Sequence, residues 1–243
     1  MQLRSLKFFT ASLGLIGSLN AAILTGQFNT NGSVNVTATT IDWLPLGGPT
    51  GQFRTIDPST GSFVGLSDAV GTYTGTTKDL TNPPSGVNVP IFVGSFLSGF
   101  TSPIIAPNGL SFSTLIFDLT MIRPATAPTC TGAEAVNVSC SAGPFPNAFT
   151  LKNTGSGTEV DFALEGFFQF TGDISTRTFG SGLYTTQLNG LSIGQVLTQA
   201  GQPGGFTAAY SANFVAGVPE PGTVSMLLAG LTLIGLRAYR LRK

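Results

Sequence analysis

Residues 158–170 follow a period-2 alternation of apolar and polar side chains. Val160, Phe162, Leu164, Phe168 and Phe170 share one face, and Glu159, Asp161, Glu165 and Gln169 share the other. A helix, turning by about 100° per residue, would scatter these two sets around its circumference; an extended strand sorts them. The segment is therefore a half-buried antiparallel strand, and the chain needs partner strands and a core on one side of it. Gly166 interrupts the pattern where a bulge is expected.

Partners are legible elsewhere. Residues 206–216 place Phe206, Ala208, Tyr210, Ala212 and Phe214 on one side, and residues 111–121 alternate Leu115, Phe117, Leu119 and Met121 with Thr114, Asp118 and Thr120. Further strands are expected at 23–28, 33–43, 71–77 and 91–100. The phase changes between Val34/Val36 and Ile41/Trp43, so the strand at 33–43 is expected to bend or bulge. Segments rich in Gly, Pro, Asn and Asp separate these runs at 45–51, 57–61, 82–86, 107–109 and 201–205, with the residues tight turns require. One segment reads as helical, 192–200, with Ser192 and Gln195 spaced as a capping box and Gly201 as its stop. Many short strands with one small helix predict an all-β fold, an antiparallel β-sandwich of jelly-roll kind, as a single domain over residues 23–217.

The chemistry available to this domain is narrow. The chain has no His, which removes Ser-His-Asp triads, Cys-His pairs and the usual zinc hydrolase ligand sets. No Gly-rich phosphate loop followed by Lys and Ser/Thr is present. Residues 23–217 hold five basic and ten acidic residues, a net charge of about −5, and no basic patch, so nucleic acid is not an expected partner. Glu159, Asp161 and Glu165 share a strand face, the first two about 7 Å apart. They read either as a solvated sheet face or as the carboxylate pair of a glycoside hydrolase. Trp43, Tyr73, Tyr184 and Tyr210 could stack on sugar rings if one groove exposed them, and otherwise are core or rim residues. No cofactor is expected; a structural calcium ion would draw on Asp42, Asp57, Asp68 or Asp173. The chain thus reads as non-enzymatic. Cys130 and Cys140, ten residues apart, point to one disulfide rather than a metal site if the domain is exported.

Both flanks point to export. Arg4 and Lys7 precede an uncharged run over 8–19, and Asn20-Ala21-Ala22 supplies small residues for cleavage, as in a signal peptide over 1–22. Its partners would be the Sec translocon and signal peptidase. At the other flank, Pro219 and Pro221 hold Val218-Pro219-Glu220-Pro221 extended. An uncharged run over 222–236 follows, and then Arg237, Arg240, Arg242 and Lys243. The run covers only about 22 Å as a helix, against a bilayer core of ~30 Å. A transmembrane helix over 222–239 requires the arginines to snorkel, with the basic end on the cytoplasmic side. The alternative is a buried core helix with a solvated tail.

This three-part segment over 218–243 resembles the PEP-CTERM sorting signal of exported bacterial proteins. The resemblance implies recognition by an exosortase-like membrane protease, cleavage near Val218 to Pro221 with the basic residues as a stop, and a transient stay in the inner membrane. It implies a destination at the cell surface or in an extracellular matrix. Ile41-Asp42-Trp43, residues 72–80, the turn at 171–173 and residues 210–214 resemble exported PEP-CTERM β-domains without an assigned activity, and that likeness carries no site. The expectation is a surface or matrix protein with a structural or adhesive body beside extracellular polysaccharide, the alternative being a non-catalytic carbohydrate-binding module.

Overall fold

The computed structural model describes residues 24–44, 50–81, 90–142 and 148–217. The expected signal peptide and the whole segment 218–243, with its helix over 222–239, lie outside these residues. In chain order the elements are β1 (Gly26–Val36), β2 (Thr40–Trp43), β3 (Thr50–Ile56), β4 (Thr74–Lys78), β5 (Leu80–Thr81), β6 (Pro90–Ser98), β7 (Leu115–Ile122), β8 (Ser139–Ser141), β9 (Phe149–Asn153), β10 (Gly157–Phe170), β11 (Asp173–Asn189), α1 (Ile193–Ala200) and β12 (Phe206–Ala216). Single turns of 3-10 helix occupy Gly61–Phe63 and Phe112–Thr114.

The strands pair antiparallel in the order β11-β12-β1-β3-β4-β6-β7-β10, and β10 pairs back onto β11. The result is a closed eight-stranded barrel, which corrects the expected sandwich. The strand that closes it is β11. With 17 residues it is the longest element, and sequence patterning passes over it. Its buried positions are Thr176, Thr178, Gly180, Gly182, Tyr184 and Leu188, while Phe179 and Leu183 face outward. From Thr176 to Leu183 its polarity is therefore inverted relative to β10 and β12, and no apolar alternation marks that stretch.

Closure holds over only part of the strand length. The β11–β12 ladder runs from Gly180↔Ala216 to Thr185↔Ser211 and stops, while β12 continues on β1 to Val36↔Phe206. On β1, β3 gives way after Gly32↔Phe53 to β2, which starts at Val34↔Trp43. On β10, β7 gives way beyond Leu164↔Ile122 to β9, which starts at Phe162↔Phe149. At this end the barrel thus opens into two facing layers, β12-β1-β2-β5 and β11-β10-β9-β8, with α1 packed on β9, β10 and β12. The capping box holds α1 in place: Gln195 N donates to Ser192 Oγ at 3.3 Å, and Ser192 N to Gln195 Oε1 at 2.8 Å. Ile193 and Val196 are its buried face.

At the closed end the interior is filled with aromatic rings. Phe28 packs on Phe63, Phe100, Phe168 and Phe214 with centroids 5.0 to 5.9 Å apart. Inward-facing glycines make the room. Gly75 lies opposite Phe53 and Gly182 opposite Phe214, and a Cβ at either would sit 2.3 or 2.4 Å from the ring. Each glycine is thus a socket for the aromatic side chain across the ladder.

Two local expectations change. The strand expected at 33–43 is a hairpin of β1 and β2, turned at Thr37, whose N–H donates to Thr40 O at 3.0 Å. In β7 the register shifts opposite Glu165/Gly166, so Ile122, not Met121, completes the buried face. The unpaired residue is Thr120 of β7, so the bulge expected at Gly166 lies in the strand opposite it, and β10 keeps its alternation through Gly166.

Candidate functional site

Between the two layers of the open end lies an apolar cavity of about 170 Å³. Val34 and Val36 of β1 and Ile41 and Trp43 of β2 form one wall. Phe149 and Leu151 of β9 with Val160 and Phe162 of β10 form the other, and Val196, Leu197 and Ala200 of α1 lie against both. Period-2 alternation aims these side chains inward from each strand. Phe149 and Leu151 escape sequence reading because five residues of β9 are too few to establish a period.

Three of the four aromatic residues singled out from sequence meet at this cavity. Trp43 packs 5.7 Å from Tyr184, and Tyr184 5.0 Å from Tyr210, centroid to centroid. They are 1 %, 6 % and 5 % exposed, so they form an inner wall rather than a surface platform. Tyr73 stands apart, half-buried ahead of β4, with its carbonyl accepting from Thr55 N at 2.9 Å. Burial pushes both Tyr184 and Tyr210 above the ordinary phenol value, and for Tyr184 the neighbouring Tyr210 adds to the effect. The Thr77 hydroxyl lies near both phenols, yet it and the Tyr210 hydroxyl are buried without a hydrogen-bond partner, as is Trp43 Nε1. Beside Trp43, Asp79 Oδ1 accepts from the Trp43 N–H at 2.8 Å. Desolvation raises Asp79 and Asp42 above the usual carboxylate range, and the charge of Asp42 raises Asp79 further.

The carboxylates of β10 face the other way, outside the barrel. Gln187 Nε2 donates to Glu159 Oε2 at 2.8 Å, Lys152 Nζ lies 4.0 Å from Glu159 Oε1, and Glu165 pairs with Arg123. Desolvation and the charge of Glu159 raise Asp161 above the ordinary range, with Lys152 opposing. These contacts are those of a hydrogen-bonded sheet face.

Cys130 and Cys140 form a disulfide with Cα atoms 4.8 Å apart. Glu134 converges on the same two residues. Desolvation pushes its carboxyl up, but donors from Thr131 and Gly132 outweigh this and hold it below the ordinary range. The sulfurs are bonded to one another, so the group is no thiolate metal site. The carboxylates weighed for calcium form no group of three among the described residues: Asp57 accepts from Ser67, Asp68 from Thr72 and Asp173 from Ser175 at the closed end, while Asp42 lies at the open end.

A second concavity, a groove of about 760 Å³, crosses the outer face of the barrel. Asn31, Gln52, Arg54, Thr74, Gln187 and Ser211 line it, with Tyr210 between groove and cavity.

The sorting residues Val218, Pro219, Glu220 and Pro221 and the basic residues Arg237, Arg240, Arg242 and Lys243 lie outside the described residues. Their attachment point is fixed. β12 ends at Ala216, and Gly217 N donates to Phe179 O at 2.6 Å. Among the described residues no helix is long and apolar enough to cross a membrane. No curated protein and no solved structure matches the chain. Residues 217–243 match the family described as the PEP-CTERM protein-sorting motif, so the match begins at the residue that follows β12. Such a motif is recognised by exosortase and implies export and sorting to the cell surface. The chain therefore carries a PEP-CTERM sorting motif over residues 217–243, and a closed β-barrel is the body that this motif follows.

Proposed function

We propose that this protein is exported through the Sec translocon, loses a signal peptide over 1–22, and is held briefly in the inner membrane by a helix over 222–239. An exosortase-like protease then cuts near Val218 to Pro221. The barrel over 23–217 remains at the cell surface or in the extracellular matrix as a non-catalytic structural or adhesive component. The observation that carries this reading is the family match over 217–243, which joins the barrel without an intervening linker domain. A non-catalytic body is supported by two of the three β10 carboxylates: Glu159 is engaged by Gln187 and Lys152, and Glu165 by Arg123. Intact-mass measurement of the protein recovered from the surface tests the sorting claim. The expected mass lacks Arg237 to Lys243; a mature form that retains them refutes it.

A second reading, carbohydrate binding, is favoured by the outer groove. Amide, hydroxyl and guanidinium groups of Asn31, Gln52, Arg54 and Gln187 suit sugar hydroxyls. A glycan array decides: binding that Arg54→Ala weakens supports this reading, and a blank array leaves the structural role.

A further inference from the structure

The chain enters the barrel and leaves it on one rim. Gly26 pairs with Ala216, Leu24 N donates to Thr178 Oγ1 at 3.0 Å, and Gly217 N to Phe179 O. The loops of this closed end are bonded into a ring. Ser62 N donates to Thr25 O, Ser102 Oγ to Gly65 O, and Thr171 N to Thr114 O, and Ile105 bridges Ser111. Large aliphatic side chains project from these loops into solvent, Val64, Val70, Ile104 and Ile105, and beside them Ile174 at the start of β11 is 79 % exposed. Phe179 and Val215 extend the apolar surface along the adjoining wall. Apolar residues repeated around one pole of a barrel with a filled core do not serve folding, and surfaces of this kind mark a binding face.

What covers this face follows from where the chain goes next. Four residues after Gly217 the motif Val218 to Pro221 ends and the uncharged run over 222–236 begins. A segment this short cannot carry the barrel far from whatever surface receives that run, since extended chain spans at most about 3.5 Å per residue. We propose that the closed-end rim is a membrane-contact surface, which seats the barrel on the bilayer with α1 and the open end pointing away. The inference rests on the sorting reading above. Seated this way, the end of β12 and Gly217 face the bilayer, and the cavity and groove face away from it. Asp57, Asp68 and Asp173 share the rim, so the contact is apolar in origin and weakens as anionic lipid is added.

The chain from residue 23 to residue 243, without the segment removed on export, reconstituted with phosphatidylcholine vesicles, tests this. Single tryptophans replace Ile105, Ile174 or, at the opposite pole, Val136, which is 56 % exposed and packs near Gly155. Buried Trp43 serves as an internal reference. Flotation reports insertion of the C-terminal run, and lipids brominated near the headgroup report contact. The expected result is that the added emission of Ile105→Trp and Ile174→Trp falls by about half in brominated vesicles, as for side chains at the headgroup boundary. That of Val136→Trp is unchanged. Adding phosphatidylglycerol is expected to reduce the quenching. Floated chains with no quenching at the rim, or with equal quenching at Val136→Trp, overturn the seating while leaving the sorting reading intact. Chains that do not float overturn both. A concentration-dependent blue shift of Ile174→Trp without lipid assigns the rim to a second copy of the chain and also overturns it.

Discussion

The two ends of this barrel are built from the same long strands and solve the packing problem differently. At the closed end, rings fill the interior and glycines opposite them supply the space. At the open end the ladders part, and two layers and a helix enclose a space they do not fill. The difference shows that closure of the sheet and filling of the core are separable. The first depends on β11 bonding both neighbours, the second on which side chains project inward.

Five measurements break or sharpen that contrast. Phe28→Ala at the closed end removes a ring from the centre of the aromatic cluster and is expected to cost about 3–5 kcal/mol in chemical denaturation. Gly182→Val drives a side chain into the Phe214 ring and should cost roughly 1–3 kcal/mol or more by the same assay, since the neighbour is a packed ring without a free rotamer. Leu151→Ala at the open end enlarges an existing cavity whose walls can relax, and about 2 kcal/mol, the low end for such changes, is expected. If it equals Phe28→Ala, the contrast between the ends fails. Tyr210→Phe removes a buried hydroxyl without a partner and is expected to be neutral or stabilising by up to about 1 kcal/mol.

The smallest effect is a divergence with pH. Asp161, toward the open end, has a raised pKa, caused first by desolvation and then by Glu159. Its contribution to stability is present below its unfolded value and is lost as pH rises through its raised folded value. Asp68, at the closed-end rim, is lowered by the Thr72 hydroxyl and amide, so its contribution is present above its unfolded value and is lost as pH falls through the lowered one. Hydrogen exchange followed from pH 7 to pH 3 should therefore gain protection around β10 first and lose it around the Asp68 turn later. Equal trends at both places would contradict these assignments.

How much of this could be read in advance depends on the strand. β12 matches its expected bounds, β10 differs by one residue at its start, and Ser192 caps α1 as its spacing with Gln195 implies. In each of these, the residues that carry the local signal also face the core. β11 fails this condition, because Gly180 and Gly182 face the core and their ring partners, Phe168 and Phe214, are supplied by other strands. A glycine that serves as a socket has no periodic signature of its own. Sandwich and barrel then differ by one strand's pairing, which is long-range information. The cavity was legible only in part. Trp43, Tyr184 and Tyr210 stood out as rare residue types, whereas their convergence came from the parting of ladders at Thr185 and Ser211.

The pairing of β1 with β12 sets an order of events during export. A chain that crosses a membrane from its N-terminus presents β1 first and β12 last, and Leu24 finds Thr178 at a sequence separation of 154. The barrel therefore has no closed form until Ala216 has emerged, and by then the residue next in line begins the sorting motif. Contacts of such high sequence separation are slow to form. A pause of the C-terminal run in the bilayer would give the last strand time to zip onto the first. Under the sorting route proposed above, retention of the tail would act as a folding interval as well as an address, and early cleavage would release the chain before its last strand has paired.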